Sequence, residues 1–264
     1  MDLGLLDRTA IVTGGSIGIG KAIARELARE GVDVAICARR LNILQETARE
    51  LEAETGRRIV AIQTDTTSSK SVNLMVKKAL TALGRVDILV NNAAAPGGLV
   101  GGSLSDASDE ALLADINTKV IGYLRCAKAI APSMRKQGWG RIINIGGLAA
   151  RQSGTYSGVR NLALVHMTKT LSNELGPDGV SVTVVHPGAT RTERTAPNFQ
   201  EQALREGISV QEVEQRVANN LAIRRIVDAK EIGYLVAFLS SPKAEALTGE
   251  AIAVGGGVGP AVYQ

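Results

Sequence analysis

The stretch Thr9-Ala10-Ile11-Val12-Thr13-Gly14-Gly15-Ser16-Ile17-Gly18-Ile19-Gly20 decides the fold of this chain. Its first four residues are a short β-branched and apolar run, which predicts a strand, and helical periodicity follows over Gly20–Glu30. The glycines between them let the backbone turn tightly and approach a diphosphate, which the amides of the following helix N-terminus stabilise. A glycine-rich string alone indicates only a turn, but the order strand, loop, helix makes it a dinucleotide-binding motif.

The pattern continues along the chain as an alternation of short apolar runs and amphipathic segments. Such alternation predicts an α/β fold, a Rossmann-type doubly wound parallel sheet of about seven strands with helices on both faces. The predicted strands are Thr9–Val12, Asp33–Ala38, Ile59–Thr64, Ile88–Asn91, Arg141–Ile145, Ser181–His186 and Ala251–Val254. The predicted helices include Gly20–Glu30, Asn42–Thr55, Ser68–Leu83, Glu110–Ala131 and Val159–Leu175.

No internal repeat or linker interrupts residues 1–264, so we expect a single domain. The exception to the alternation is Arg191–Ala229, about forty residues between the sixth strand and the next core helix. A segment of that length inside a compact domain is usually a lid or binding segment, so we expect it to cover the substrate.

Composition excludes several classes of function. The 30 basic and 26 acidic residues give a net charge of +4 without strong basic clusters, so nucleic acid is not an expected partner. No apolar run reaches membrane-spanning length and no leader is recognisable, so we expect no membrane partner. The cysteines Cys37 and Cys126 lack metal-ligand spacing and suit a reducing cytoplasm, and we expect no metal site.

The end of the second strand bears on the choice of cofactor. An acid there would bind a ribose 2′-hydroxyl, whereas Cys37-Ala38-Arg39-Arg40 contains none and offers planar donors suited to a 2′-phosphate. This favours NADP(H) over NAD(H). The alternative is a solvated arginine pair that merely opens a loop.

From end to end the chain resembles the short-chain dehydrogenase/reductase family. The matching features are TGGSIGIG at residues 13–20, Asp65 after the third strand, Asn91-Asn92-Ala93-Ala94, Pro187-Gly188-Ala189-Thr190-Arg191-Thr192, and Leu247-Thr248-Gly249. NADP-preferring relatives often carry a second basic residue at the position of Ile17, so Arg39 and Arg40 would hold the phosphate alone. The resemblance implies cofactor contacts from Gly14, Ser16, Ile17, Gly18, Ile19, Gly20, Arg39, Arg40, Asp65, Thr66, Asn91, Ala93, Pro187, Gly188, Thr190 and Thr192.

The resemblance also implies carbonyl–alcohol redox chemistry, in which a tyrosine moves the proton, a serine orients the carbonyl, a lysine binds the ribose and an asparagine anchors a relay water. Asn117 matches the asparagine. The serine position falls in Ile145-Gly146-Gly147, which has no hydroxyl, and Ser153 or Thr155 are the candidate replacements.

Two alignments of the tyrosine region give different chemistry. In the first, Tyr156 is the acid and Arg160, four residues later on the same helical face, is the ribose-binding cation. In the second, which matches the downstream helix without gaps, Ser157 stands at the tyrosine position and Asn161 at the lysine position. Only the first supplies a proton donor, and an arginine guanidinium does not pass protons along a relay.

Two hypotheses about function follow. The first is an NADP(H)-dependent oxidoreductase acting on a small carbonyl or alcohol substrate through Asn117, Tyr156 and Arg160. The second is a cofactor-binding sensor or assembly subunit without dehydrogenase activity. The resemblance further suggests a homo-oligomer, a tetramer built through the two long helices and the last strand.

Overall fold

The structure, a computed structural model, describes residues 1–95 and 99–259. A seven-stranded parallel sheet forms its centre, which confirms the predicted Rossmann-type fold. In space the strands run β3-β2-β1-β4-β5-β6-β9, and a separate two-stranded pair joins β7 to β8. The strands are β1 Thr9–Thr13, β2 Asp33–Ala38, β3 Ile59–Gln63, β4 Ile88–Asn91, β5 Gly140–Ile145, β6 Val180–Pro187, β7 Thr190–Arg191, β8 Val227–Asp228 and β9 Ala251–Val254.

The strand order reverses at β1, which lies between β2 and β4. Chain connections from β1 and β4 therefore leave toward opposite sides and open a crevice at the carboxyl ends of the strands. Ligands of open α/β sheets bind at such a crevice. The register places Thr13 beside Cys37 and Asn91 beside Asn144, so the ends of four strands meet at this edge.

Helices cover both faces of the sheet, and they bury the central strands β1, β4, β5 and β6 along their whole length. One face packs α1, α2 and α9 onto the sheet through residues such as Leu27, Leu44 and Val236. The other packs α3, α5 and α6 through Met75 and Ile130 among others. The α-helices are α1 Gly18–Arg29, α2 Leu41–Thr55, α3 Ser69–Leu83, α4 Asp109–Ile116, α5 Gly122–Gln137, α6 Ser157–Leu175, α7 Thr195–Glu206, α8 Val210–Asn219 and α9 Ala229–Ser240.

The predicted helix Glu110–Ala131 is interrupted and longer than expected. A π-helical turn over Asn117–Ile121 joins α4 to α5, and α5 continues through Pro132 to Gln137. Periodicity did not reveal the turn because its contacts are tertiary. Within it, the buried Lys119 reaches toward the sheet.

The long segment Arg191–Ala229 has secondary structure of its own, contrary to the absence of any predicted helix there. It contains α7 and α8, and Ser209 begins α8 with a capping box completed by Glu212. In the two described ranges, no helix combines the length and apolarity needed to cross a bilayer.

Candidate functional site

A cavity of about 510 Å³ lies at the carboxyl ends of β1 to β4. This volume is in the range of ligand pockets. Its lining comes from the glycine-rich loop, the end of β2, the residues after β3 and β4, and Thr192 and Arg194 from the segment after β6. The residues expected to contact a cofactor that line it are Gly14, Ser16, Ile17, Gly18, Ile19, Arg39, Arg40, Asp65, Thr66, Ala93 and Thr192.

The glycine-rich loop brings its backbone close to the cavity: the Gly14 and Gly15 amides donate to the carbonyl oxygen of Cys37, and Ser16 to Ile19 line the cavity. Gly14 has a positive φ of 66°, and a Cβ on Gly20 would collide with the carbonyl oxygen of Gly14, so both positions require glycine. Helix α1 begins after Ile17 without a side-chain cap. The only side chain bonded to this helix start, among the described residues, is Glu193, whose Oε2 accepts from the Gly18 amide at 2.9 Å. The positively polarised start of α1 therefore lies at the cavity, with the Glu193 carboxylate on its first amide.

Cationic and anionic side chains both line the cavity near the ends of the neighbouring strands β2 and β3. Arg39 and Arg40 are exposed at the end of β2 and line the cavity. Asp65, after β3, also lines the cavity and accepts hydrogen bonds from the Thr67 hydroxyl at 2.7 Å and the Thr67 amide at 2.9 Å. These bonds, together with the charge of Arg39, lower the pKa of Asp65, so this carboxyl is ionised at neutral pH.

Five expected cofactor contacts lie outside the cavity lining: Gly20, Asn91, Pro187, Gly188 and Thr190. The Asn91 amide is buried and donates to Asn144 Oδ1 at 3.0 Å, so it ties β4 to β5. The neighbouring Asn92 lines the cavity instead and donates to the carbonyl oxygens of Thr13 and Gly14. Asn92 was missed as a site residue, although it lies in the same Asn-Asn-Ala-Ala segment.

Asn117 occupies the first position of the π-helical turn. Its Oδ1 accepts from Arg125 Nη2 at 2.9 Å and its carbonyl oxygen accepts from Arg125 Nη1 at 3.3 Å. Arg125 also donates to the carbonyl oxygen of Thr66, which follows β3. The adjacent Thr118 lines the cavity, so this turn lies at the cavity's edge.

Tyr156 and Arg160 do not line the cavity. Tyr156 is half-buried at the N-cap of α6. Arg160 is buried and forms an ion pair with Asp115 of α4. Asp115 also accepts from the Ser157 hydroxyl at 2.9 Å, and that hydroxyl in turn accepts from the Val100 amide. The arginine and serine of the two alignments thus meet at one buried carboxylate.

Polar side chains lie around the turn after β5, which contains Gly146 and Gly147. A Cβ on Gly147 would lie 3.1 Å from Asn161 Nδ2, so the residue at the lysine position of the second alignment stands beside the glycine of the serine position. The candidate replacements are elsewhere: Ser153 is exposed, and the Thr155 hydroxyl donates to the carbonyl oxygen of Val100 at 2.5 Å.

Two further side chains reach this turn, and neither was singled out as functional. Lys119 Nζ donates to the carbonyl oxygen of Gly146 at 2.9 Å, and burial together with the nearby charge of Arg160 lowers the pKa of Lys119 to about 7. His186 Nδ1 accepts from the Gly147 amide at 3.0 Å, and burial lowers the pKa of His186 to about 4. His186 is therefore neutral at pH 7. A buried lysine inside an amphipathic helix leaves no signal in the sequence.

Comparisons with known proteins agree with this geometry. The sequence profile described as "short chain dehydrogenase" matches residues 8–203. The NADPH-dependent reductase BacG of Bacillus subtilis is 30% identical over 95% of this chain and 97% of its own length. The 3-oxoacyl-[acyl-carrier-protein] reductase FabG of Staphylococcus epidermidis is 32% identical over 96% of this chain and 99% of its own.

Among solved structures, L-sorbose reductase from Gluconobacter frateurii, complexed with NADPH and L-sorbose, superposes with a TM-score of 0.93. It is 30% identical and covers 99% of this chain and 100% of its own. The profile match, the near full-length relatives and the close structural superposition lead to one conclusion: this chain belongs to the short chain dehydrogenase family of oxidoreductases.

Proposed function

We propose that this protein is an NADP(H)-dependent oxidoreductase that interconverts a carbonyl and a secondary alcohol. The observation that carries the proposal is the cavity at the strand ends, where the start of α1 and the pair Arg39 and Arg40 offer sites for a diphosphate and a 2′-phosphate. When bound there, the cofactor supplies or accepts the hydride.

The preference for NADP(H) over NAD(H) rests on the end of β2. Residues 37–40 contain no carboxylate to accept from a ribose 2′-hydroxyl, and the two exposed guanidinium groups are free to approach a phosphate. BacG is named as NADPH-dependent, and the solved L-sorbose reductase holds NADPH. These relatives support the same choice for this chain.

In the proposed reaction, Tyr156 is the acid or base and Asn117 anchors a relay water. Arg160 is the ribose-binding cation, and Asp115 partly offsets its charge because the two are paired. The single domain 1–264 carries cofactor and substrate together, and the segment 191–229 covers the substrate. Thr192 and Arg194 of that segment already line the cavity, which supports this role.

A second candidate is a catalytically impaired NADP(H)-binding sensor or assembly subunit. The observation that favours it is the turn after β5, where Gly146 and Gly147 offer no hydroxyl and the uncharged Asn161 stands beside them. Arg160 is committed to Asp115. In this second candidate the cavity binds NADP(H), but the protein catalyses no redox reaction.

Binding and turnover measurements separate the two candidates. NADPH is titrated by its fluorescence into the purified protein, and its consumption is followed with a panel of ketones, aldehydes and keto sugars. For the enzyme we expect turnover that Tyr156→Phe lowers by roughly 10²-fold or more, as for loss of a general acid. Tyr234→Phe, on the exposed side of α9, is the matched control and should leave turnover unchanged.

Tight NADPH binding without turnover on any substrate would favour the sensor. Turnover that Ser157→Ala abolishes while Tyr156→Phe leaves it intact would reassign the acid to Ser157. Absence of NADPH binding would refute both candidates.

We also propose a cytoplasmic homotetramer. Leu113 on α4 and Val159 and Leu162 on α6 are more than half exposed, and such apolar side chains on neighbouring helices are suited to contact between copies. Cys37 and Cys126 are free and buried, which suits a reducing compartment. Light scattering on a sizing column tests the assembly: a mass four times 27.6 kDa is expected, and a monomer would contradict it.

A further inference from the structure

The turn Gly146–Gly147 is surrounded by buried polar groups that the proposed reaction does not yet use. Lys119 bonds the Gly146 carbonyl, His186 bonds the Gly147 amide, and Asn161 lies beside Gly147. The turn lies at the carboxyl end of β5, on the edge of the sheet where the cavity lies.

Several of these groups have unused hydrogen-bonding capacity. Within residues 1–95 and 99–259, Asn161 Oδ1, Arg160 Nε and His186 Nε2 are buried without a partner. An ammonium has three donors, and Lys119 uses one of them in the bonds found in that part of the chain. Buried polar groups are nearly always satisfied, so a cluster of unpaired donors and acceptors indicates bound water or substrate atoms.

We propose that Lys119 is a proton-exchanging positioning residue of this site: it fixes the Gly146–Gly147 turn and returns protons to the reacting centre through water. The proposal rests on the proposed oxidoreductase function. Lys119 is the one buried lysine among the described residues, and it comes from the π-helical turn that also presents Asn117 and Thr118. Arg160 cannot take this role, because a guanidinium does not pass protons on.

The proton balance is complete with this assignment. Reduction of one carbonyl requires one hydride at carbon and one proton at oxygen. Tyr156 gives its hydroxyl proton to the oxygen, the Lys119 ammonium restores that proton through water, and the neutral amine regains one from solvent. Oxidation runs through the same steps in reverse.

The charges around Lys119 permit the exchange near neutral pH. Asp115, one turn earlier on the same helix, favours the ammonium, whereas Arg160 from α6 and burial favour the neutral amine, and the balance lowers the pKa of Lys119 to about 7. His186 from β6 is neutral at that pH. Tyr123, one turn later, donates to the Ile145 carbonyl, and burial raises its pKa, so it stays protonated.

The first test needs neither cofactor nor substrate. In protein labelled with ¹⁵N-lysine, side-chain resonances are followed by NMR against pH. We expect one lysine to titrate near neutrality, with its signal absent from Lys119→Met and Lys119→Arg. Titration of every lysine near the ordinary value of about 10 would overturn the proposal.

The second test measures proton uptake when NADPH binds, by calorimetry at pH 7 in buffers of different ionisation enthalpy. Negative charge brought near Lys119 favours its ammonium, so wild type should take up more protons than Lys119→Met or Lys119→Arg. Lys128→Met, an exposed lysine on α5, is the control and should match wild type. Equal uptake in all four proteins would contradict the proposal, whereas lack of NADPH binding by wild type would instead refute the proposed function.

With an active carbonyl substrate, both Lys119 variants should lower the rate by roughly 10²-fold. The remaining rate of Lys119→Arg should lose the pH dependence near 7 that wild type shows. An unchanged pH profile in Lys119→Arg would remove the proton role and leave only an anchoring one.

Discussion

Charged groups lie in two different environments at the carboxyl edge of the sheet: exposed around the glycine-rich loop, and buried around the turn after β5. Around the glycine-rich loop the amides and the guanidinium groups of Arg39 and Arg40 face an open cavity. Around the turn after β5, Asp115, Arg160 and Lys119 are buried and interact with each other or with the backbone. Charges exposed to a cavity are available for a ligand, whereas buried charges must be compensated within the protein. Binding can therefore be retained while the catalytic groups change.

The largest effect of a substitution is expected at Asp115, in the buried group of charges. Asp115→Asn leaves the buried Arg160 without its counter-ion, and we expect a loss of about 3–5 kcal/mol in the free energy of unfolding. Urea denaturation measures it. The control is Asp178→Asn, which removes a half-exposed pair with Arg135 and should cost at most about 1 kcal/mol. Equal effects would show that the buried pair has no special weight.

The buried Lys119 makes the stability of the protein depend on pH. Its pKa is lowered from 10.5 to about 7 in the folded protein, so the unfolded chain binds more protons between these values. The contribution of Lys119 to the free energy of unfolding is therefore fully present above its pKa in the unfolded chain. This contribution is lost as the pH falls toward 7, by at most about 1.4 kcal/mol per pH unit.

The free energy of unfolding of Lys119→Met minus that of wild type should therefore be larger at pH 7 than at pH 9.5. Urea denaturation at both pH values measures this difference. Lys128→Met should show no such change. A stability difference between wild type and Lys119→Met that is independent of pH would mean that Lys119 is charged to the same extent in both states.

Substitution of a charged residue that lines the open cavity should change cofactor affinity and leave the free energy of unfolding unchanged. Arg39→Gln removes a charge-assisted contact to the proposed 2′-phosphate, worth about 1.5–3 kcal/mol, so NADPH affinity should fall by roughly 10- to 150-fold while NADH affinity is unchanged. Fluorescence titration of both cofactors checks this. Arg58→Gln, exposed before β3, is the control. Equal weakening of both cofactors would remove the basis for the NADP(H) preference.

The smallest expected effect concerns the contact between the glycine-rich loop and the segment 191–229. Glu193 occupies the Gly18 amide at the start of α1, where a diphosphate is expected, so its carboxylate competes with the cofactor. An anion at a helix N-terminus is worth about 0.3–1 kcal/mol, and Glu193→Gln should tighten NADPH binding by roughly 2- to 5-fold. Glu201→Gln on α7 should have no effect. Weaker binding by Glu193→Gln would show that Glu193 supports the cofactor.

The sequence predicted the open side better than the buried side, for a physical reason. Strands, the glycine-rich loop and the arginines after β2 depend on short-range patterns, and the strand bounds differ from the expected ones by only a residue or so. The π-helical turn, the Asp115–Arg160 pair and the bond from Lys119 to Gly146 join elements distant in sequence. Asp115 and Lys119 read as ordinary charged positions of an amphipathic helix, because only the tertiary fold buries them.

The two alignments of the tyrosine region show the same limit. Tyr156 and Ser157 are adjacent in sequence, and no local pattern says which faces the site. The structure buries Ser157 against Asp115 and leaves Tyr156 half-exposed at the helix start. The roles of Tyr156, Arg160 and Asn117 stay predictions until turnover is measured.

The π-helical turn at Asn117–Ile121 holds one residue more than a turn of regular α-helix. Because the wider turn spreads that residue over about the same rotation, α4 and α5 keep their faces in register, and Asp115 stays opposite Arg160. Deleting one residue within the turn would therefore restore regular winding without turning Asp115 away from its partner. A length change of one amino acid at this point is one that the buried ion pair can survive.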